Sequence, residues 1–166
     1  MWPVLLCTAF VAGTAAPFAA AGAGAAAPAA ASVAASVAAS AAAARGERLF
    51  DGREALRGRL AGHTASLPSG QGACLACHGR AASSSPLETR SAPALGCSTL
   101  SRIRARRGEP PFAYDRNGFC RAVRTGINPN EVVLQRTMPR FELEQAQCDA
   151  LWTYLTTKGA GCDDER

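Results

Sequence analysis

Within the stretch GACLACHGR, residues 72–80, two thiols and one imidazole fall at Cys74, Cys77 and His78. At spacings i, i+3 and i+4, one helical turn directs all three to the same side. Three chemistries use such a set. A structural zinc site needs four ligands, usually a second Cys pair or a spaced His pair, and this sequence has neither. A thioredoxin-like dithiol wants a βαβ setting, whereas no strand-like alternation of useful length runs through the chain. The third is attachment of a porphyrin through two thioethers, with the adjacent histidine as iron ligand, which is how C-x-x-C-H reads. The expectation is therefore one covalent haem c on Cys74 and Cys77, with His78 as the proximal iron ligand.

A second axial ligand decides what such an iron can do. Residues 45–166 hold one other histidine, His63, one methionine, Met138, and one lysine, Lys158. Met138 sits in RTMPRF, where Pro139 pushes it toward extended backbone and the flanking arginines argue against a core position. A thioether in such a loop can project over a haem face, so Met138 is the expected distal ligand. His63, in LAGHTASLP, reads as a surface-loop residue, and Lys158 as a helix-end or surface residue. Trp152, Tyr114 and Arg124 are candidates to hydrogen-bond the haem propionates.

The 166-residue chain is not uniform. Residues 1–44 carry no Lys, Arg, Asp or Glu. MWPVLLCTAFVAGTAAPFAA has the apolar run and small residues of a cleavable export signal, without a positive residue ahead of the run. Residues 1–22 are thus expected to be a signal peptide, or an N-terminal anchor if retained, since about 20 apolar residues span a bilayer. Residues 23–44 are Ala-rich low-complexity sequence with no amphipathic stripe, read as a linker. Residues 45–166 are the expected single domain, and all 18 basic and 13 acidic side chains lie there, a net +5. No nucleic-acid motif accompanies the scattered arginines. RIRARRG, residues 102–108, is either solvated surface or a basic docking face for an acidic partner. Four cysteines beyond Cys7 and the haem pair, Cys97, Cys120, Cys148 and Cys162, are an even number in a chain read as exported, which favours disulfides. Of the three pairings, Cys120–Cys148 with Cys97–Cys162 is preferred, because Cys120 and Cys148 lie on the apolar faces of two different helices.

Those helices are readable from their ends. RGERLFDG, residues 45–52, carries Leu49 and Phe50 and stops at Asp51-Gly52. DRNGFCRAVRTG starts at Asp115, a good N-cap, and ends at Gly126, with Phe119, Cys120, Val123 and Ile127 marking its apolar face. ELEQAQCDALWTYLTTKG has acids early, Lys158 late and Gly159 as terminator; Gln147, Cys148, Leu151, Trp152 and Leu155 form its stripe, with Tyr154 alongside. The remainder is rich in Ser, Pro and Gly, so the fold class is all-α, with long loops. At 6% aromatic residues, the domain suits a fold built around a large prosthetic group.

Over residues 45–158 the sequence resembles the class I c-type cytochromes, through CLACH, APALG at 92–96, the MPRF loop 60 residues after the haem histidine, and the terminal helices. The resemblance implies that Gly46 and Phe50 of the first helix cross Leu151 and Tyr154 of the last. It also implies that the Pro93 carbonyl orients His78 and that Leu95 packs on the haem. One departure is an insertion of some 23 residues between Phe50 and Cys74, GREALRGRLAGHTASLPSGQG at its heart, which could dock a partner or cover the haem edge. The function this implies is a periplasmic one-electron carrier rather than an enzyme. Its donor would be a dehydrogenase or quinol-oxidising complex and its acceptor an oxidase-type protein. It would have no nucleic-acid partner, and membrane contact only if the N-terminus is retained. Two alternatives stand beside it: a haem-based sensor or catalytic haem protein whose Met138 is displaceable or absent from iron, and a dedicated cytochrome subunit of a periplasmic oxidoreductase.

Overall fold

A computed structural model describes residues 27–68, 71–79, 92–106, 108–159 and 162. The expected signal or anchor, Cys7 included, lies outside the described residues. The described chain is mostly helical: α1 Ala27–Asp51, α2 Cys74–His78, α3 Cys97–Leu100, α4 Arg116–Thr125 and α5 Gln145–Thr157, with a two-stranded antiparallel ladder of β1 Gly58–Arg59 and β2 Arg140–Phe141. Among the described residues no helix is long and apolar enough to cross a membrane.

The organising contact is the crossing of α1 on α5. Gly46 lies where the two backbones touch: a Cβ there would overlap the Ala150 carbonyl oxygen and stand 2.6 Å from Tyr154 Cβ. Four residues on, the Phe50 ring meets that of Tyr154 at 5.6 Å between centroids. Leu49, Leu151 and Leu155 fill the seam and are essentially inaccessible to water. The four positions at which the resemblance implied a helix crossing do cross. α1 stops at Asp51, and Gly52 turns the chain with φ +80°.

α1 begins well before residue 45. Helix runs unbroken from Ala27, and residues 31–41 of it are solvent-exposed; packing starts near Ala43, which is buried. Residues 27–44 of the Ala-rich stretch are therefore a helical extension of the first core helix. Alanine has the highest helix propensity, and a docked C-terminal half removes the nucleation cost for the rest.

α4 begins as its sequence indicates, with Asp115 Oδ1 accepting the Gly118 N–H at 2.6 Å, and ends at Gly126 with φ 76°. It buries Phe119, Cys120, Ala122 and Val123. Ile127 is only half-buried, because the chain has already left the helix there. In α5, Gln147 turns back to accept the Glu144 N–H at 3.0 Å, a capping role rather than a place on the stripe. Disulfides Cys120–Cys148 and Cys97–Cys162 join α4 to α5 and the C-terminal segment to α3. Both are the preferred pairs.

Candidate haem-binding site

A cavity of about 520 Å³ lies between α2, α3, α4, α5 and the loop before β2. It falls within the range of about 300–1,000 Å³ usual for small-molecule and cofactor sites. Its inner lining is apolar, with Leu100, Phe119, Val123, Phe141, Leu151 and Leu155. Each of these packs in the one core cluster that the crossing of α1 on α5 organises. The elements chosen for burial are thus the elements that shape the cavity.

Cys74, Cys77 and His78 all line it, as do Pro93, Leu95 and Met138. α2 is a single turn, long enough to bring the three motif side chains onto one side. Cys74 and Cys77 are unpaired while the other four cysteines of the described chain are bridged. Burial pushes the Cys74 thiol up to about 12, so it is protonated at neutral pH. A redox-active C-x-x-C does the reverse and lowers the pKa of its attacking thiol.

His78 Nδ1 lies 2.7 Å from the Pro93 carbonyl oxygen. A carbonyl only accepts, so Nδ1 carries the proton and Nε2 keeps its lone pair. Burial, partly offset by that hydrogen bond, holds the imidazole below its ordinary pKa, which keeps it neutral and fit to bind a metal. Fixing one ring nitrogen to a carbonyl so that the other can ligate is the usual outer-sphere arrangement of metal-binding histidines.

Met138 is half-buried and packs against the core cluster. A turn closes just at it: the Met138 N–H donates to Gln135 O at 3.1 Å, and Arg140 Nη1 donates to Met138 O at 2.7 Å. Pro139 still ends the turn, and the chain enters β2 directly after it.

Of a polar group on the cavity wall, the sequence singled out Tyr114 alone. Arg104, Arg106, Glu109, Tyr114 and Asn128 all line the cavity. Arg106 Nη1 donates to Phe112 O at 2.7 Å and Nη2 to Thr99 O, and its guanidinium lies 4.2 Å from the Phe112 ring centroid and 5.2 Å from that of Tyr114. Burial raises the Tyr114 pKa, so the phenol stays protonated as a donor. Asn128 is 2% exposed. Its Oδ1 accepts from Asn130 N and Val132 N, and its Nδ2 donates to Glu109 Oε2. Apart from Tyr114, the wall showed in the sequence only as the basic run 102–108.

Two of the three propionate candidates lie elsewhere. Trp152 stacks on Phe119 at 5.6 Å, and Arg124 donates to Leu143 O and Gln145 Oε1. Neither lines the cavity, and the same holds for His63 and Lys158. Tyr114 alone of the three is on its wall. Among the described residues no group of three or more His, Cys, Asp or Glu is placed to hold a metal ion together.

Comparison of the chain with family models, with curated proteins and with solved structures gives no match.

Proposed function

We propose that the chain is a one-electron carrier of the class I cytochrome c type, holding one covalent haem c through Cys74 and Cys77. His78 is its proximal ligand and Met138 its distal one. The observation that carries this reading is the hydrogen bond from His78 Nδ1 to the Pro93 carbonyl, within a cavity that also receives two free thiols and the sole thioether of residues 45–166. The residues present fit the group. The volume is adequate, the inner lining is apolar, the thiols are unbridged, and the imidazole is neutral with a free Nε2. A haem iron with both axial positions filled exchanges one electron and offers no open site, and a thioether ligand raises its potential.

The protein's part is to hold, orient and exclude water. Pro93 fixes the imidazole plane and its tautomer. Leu95 and the apolar inner wall keep solvent from the ring, which favours the less charged reduced state. Tyr114 and Arg106, on the cavity wall, would be the donors available to an anionic edge group. The net charge of +5 fits acidic redox partners whose association slows with salt. Export to an oxidising compartment is consistent with two disulfides in one small domain.

The test is a redox titration followed by visible spectroscopy on matured protein, wild type beside Met138→Ala. The wild type is expected to be low-spin with a thioether-to-ferric charge-transfer band. The variant loses that band, and its midpoint potential falls. A wild type that is high-spin and binds CO in the ferrous state would instead make the protein a haem sensor or catalyst.

A further inference from the structure

Residues 52–68 of the excursion after α1 fold back onto the Met138 loop. β1 pairs with β2 at Gly58↔Phe141 and Arg59↔Arg140, and Arg57 O accepts the Glu142 N–H at 2.8 Å. The excursion is closed on itself by Leu67 N–H to Gly58 O at 2.8 Å. At its turn, Gly62 has φ +83°, and a Cβ there would stand 2.9 Å from Arg136 Nη2. The backbone ties fall just after Met138, at Arg140 to Glu142, and the Arg136 guanidinium, two residues before it, lies beside Gly62. A second tie is internal to the loop, where Arg140 donates to the carbonyls of Met138 and Leu134 at 2.7 and 3.0 Å.

We propose that the excursion is a clamp on the Met138 loop, and that residues 57–62 are positioning residues that keep the thioether on the iron. The inference rests on the His78/Met138 reading above. Residues 131–133 and 135–137 of the loop are exposed, and such segments open locally at small free-energy cost. Occupancy of a ligand carried on such a loop scales with the population of its closed state. Backbone pairing from the excursion raises that population. None of residues 57–62 lines the cavity, so the effect passes through the β1–β2 ladder and not through contact with the cofactor.

Arg59→Pro removes an N–H from the ladder and places a ring that a paired strand does not accommodate. Gly62→Val puts a branched side chain on left-handed backbone, which strains the turn of the excursion. Both positions are exposed. In oxidised, haem-loaded protein, two quantities separate a clamp from general stability. One is the thermal midpoint of the thioether-to-ferric band relative to that of far-ultraviolet helix ellipticity. The other is the affinity for added imidazole, which competes with the thioether.

In both variants the band midpoint is expected to fall while the helix midpoint stays. Imidazole affinity should rise about tenfold, equivalent to about 1.4 kcal/mol, the size of one or two net hydrogen bonds. Equal shifts of both midpoints, with imidazole affinity at the wild-type value, would overturn the clamp. Should Arg59→Pro not fold, Gly62→Val decides alone. A wild type with no charge-transfer band removes the Met138 ligation and the clamp with it. A normal wild-type band that neither variant alters overturns the clamp alone.

Discussion

Gly46→Ala sets two effects of opposite sign against each other. In an unconstrained helix the change adds stability, about 0.8–1.0 kcal/mol, because alanine is the better helix former. Here the new methyl would overlap the Ala150 carbonyl and stand 2.6 Å from Tyr154 Cβ, where ordinary contacts are 3.4–4 Å. The obstacle is backbone on one side and a Cβ on the other, so no side chain can rotate away. Relief requires α1 and α5 to part by about 1 Å, and overpacking of this kind costs about 1–3 kcal/mol. The upper end applies, since Leu49, Phe50, Leu151 and Leu155 along the same seam lose contact as the helices separate. Subtracting the propensity gain leaves a net loss of about 2 kcal/mol. For a domain of this size that is a fall in Tm of about 6–10 °C, measured by thermal unfolding followed by circular dichroism. An unchanged or higher Tm would refute the crossing as described, because only the propensity effect would remain.

Removing the α4–α5 bridge with Cys120→Ala and Cys148→Ala opens a loop whose ends are 28 positions apart. The chain-entropy relation gives a loss of about 3–4 kcal/mol, and denaturant unfolding that shows under about 1 kcal/mol would contradict it. The Glu54 carboxyl is held below its ordinary pKa of 4.5, first by the hydrogen bond from Arg45 and then by the charges of Arg45 and Arg48. A depressed folded pKa means that its stabilisation is present above the unfolded value and lost as pH falls through the folded one. Glu54→Gln should therefore lower stability at pH 7 by less than about 1 kcal/mol, because the pair is partly exposed, and flatten the acid limb. An acid limb as steep as in the wild type would assign that pH dependence to other carboxylates.

What could be read in advance was what local spacing encodes. The motif at 74–78 declares its shared face through the helical period alone, and Asp115 and Gly126 mark the ends of α4 by cap chemistry. Cys120 and Cys148 sit on apolar faces of separate helices, which was enough to pair them. The ladder between Gly58–Arg59 and Arg140–Phe141 was not legible, since two residues carry no periodicity and their partners lie about 80 positions apart. Arg106 was seen only as one charge in a basic run. Its place on the cavity wall depends on the rings of Phe112 and Tyr114 and on the Thr99 carbonyl, a tertiary arrangement. Trp152 and Arg124 were suggested by residue type alone, and the structure has Trp152 packed on Phe119 and Arg124 bonded to Leu143 O and Gln145 Oε1. Residues 27–44 carry no stripe that would mark them as helix, yet a helix needs none when its far end is already docked.

The most direct measurement is made on denatured protein. The chain is matured with haem supplied, purified, unfolded in acid and denaturant, and separated by size with visible absorbance and intact mass read together. Two thioethers to Cys74 and Cys77 predict that the pigment travels with the polypeptide, at the mass of the chain plus one haem, and that Cys74→Ala with Cys77→Ala abolishes it. Pigment that separates on unfolding, or a colourless chain with two free thiols at the motif, would contradict the account.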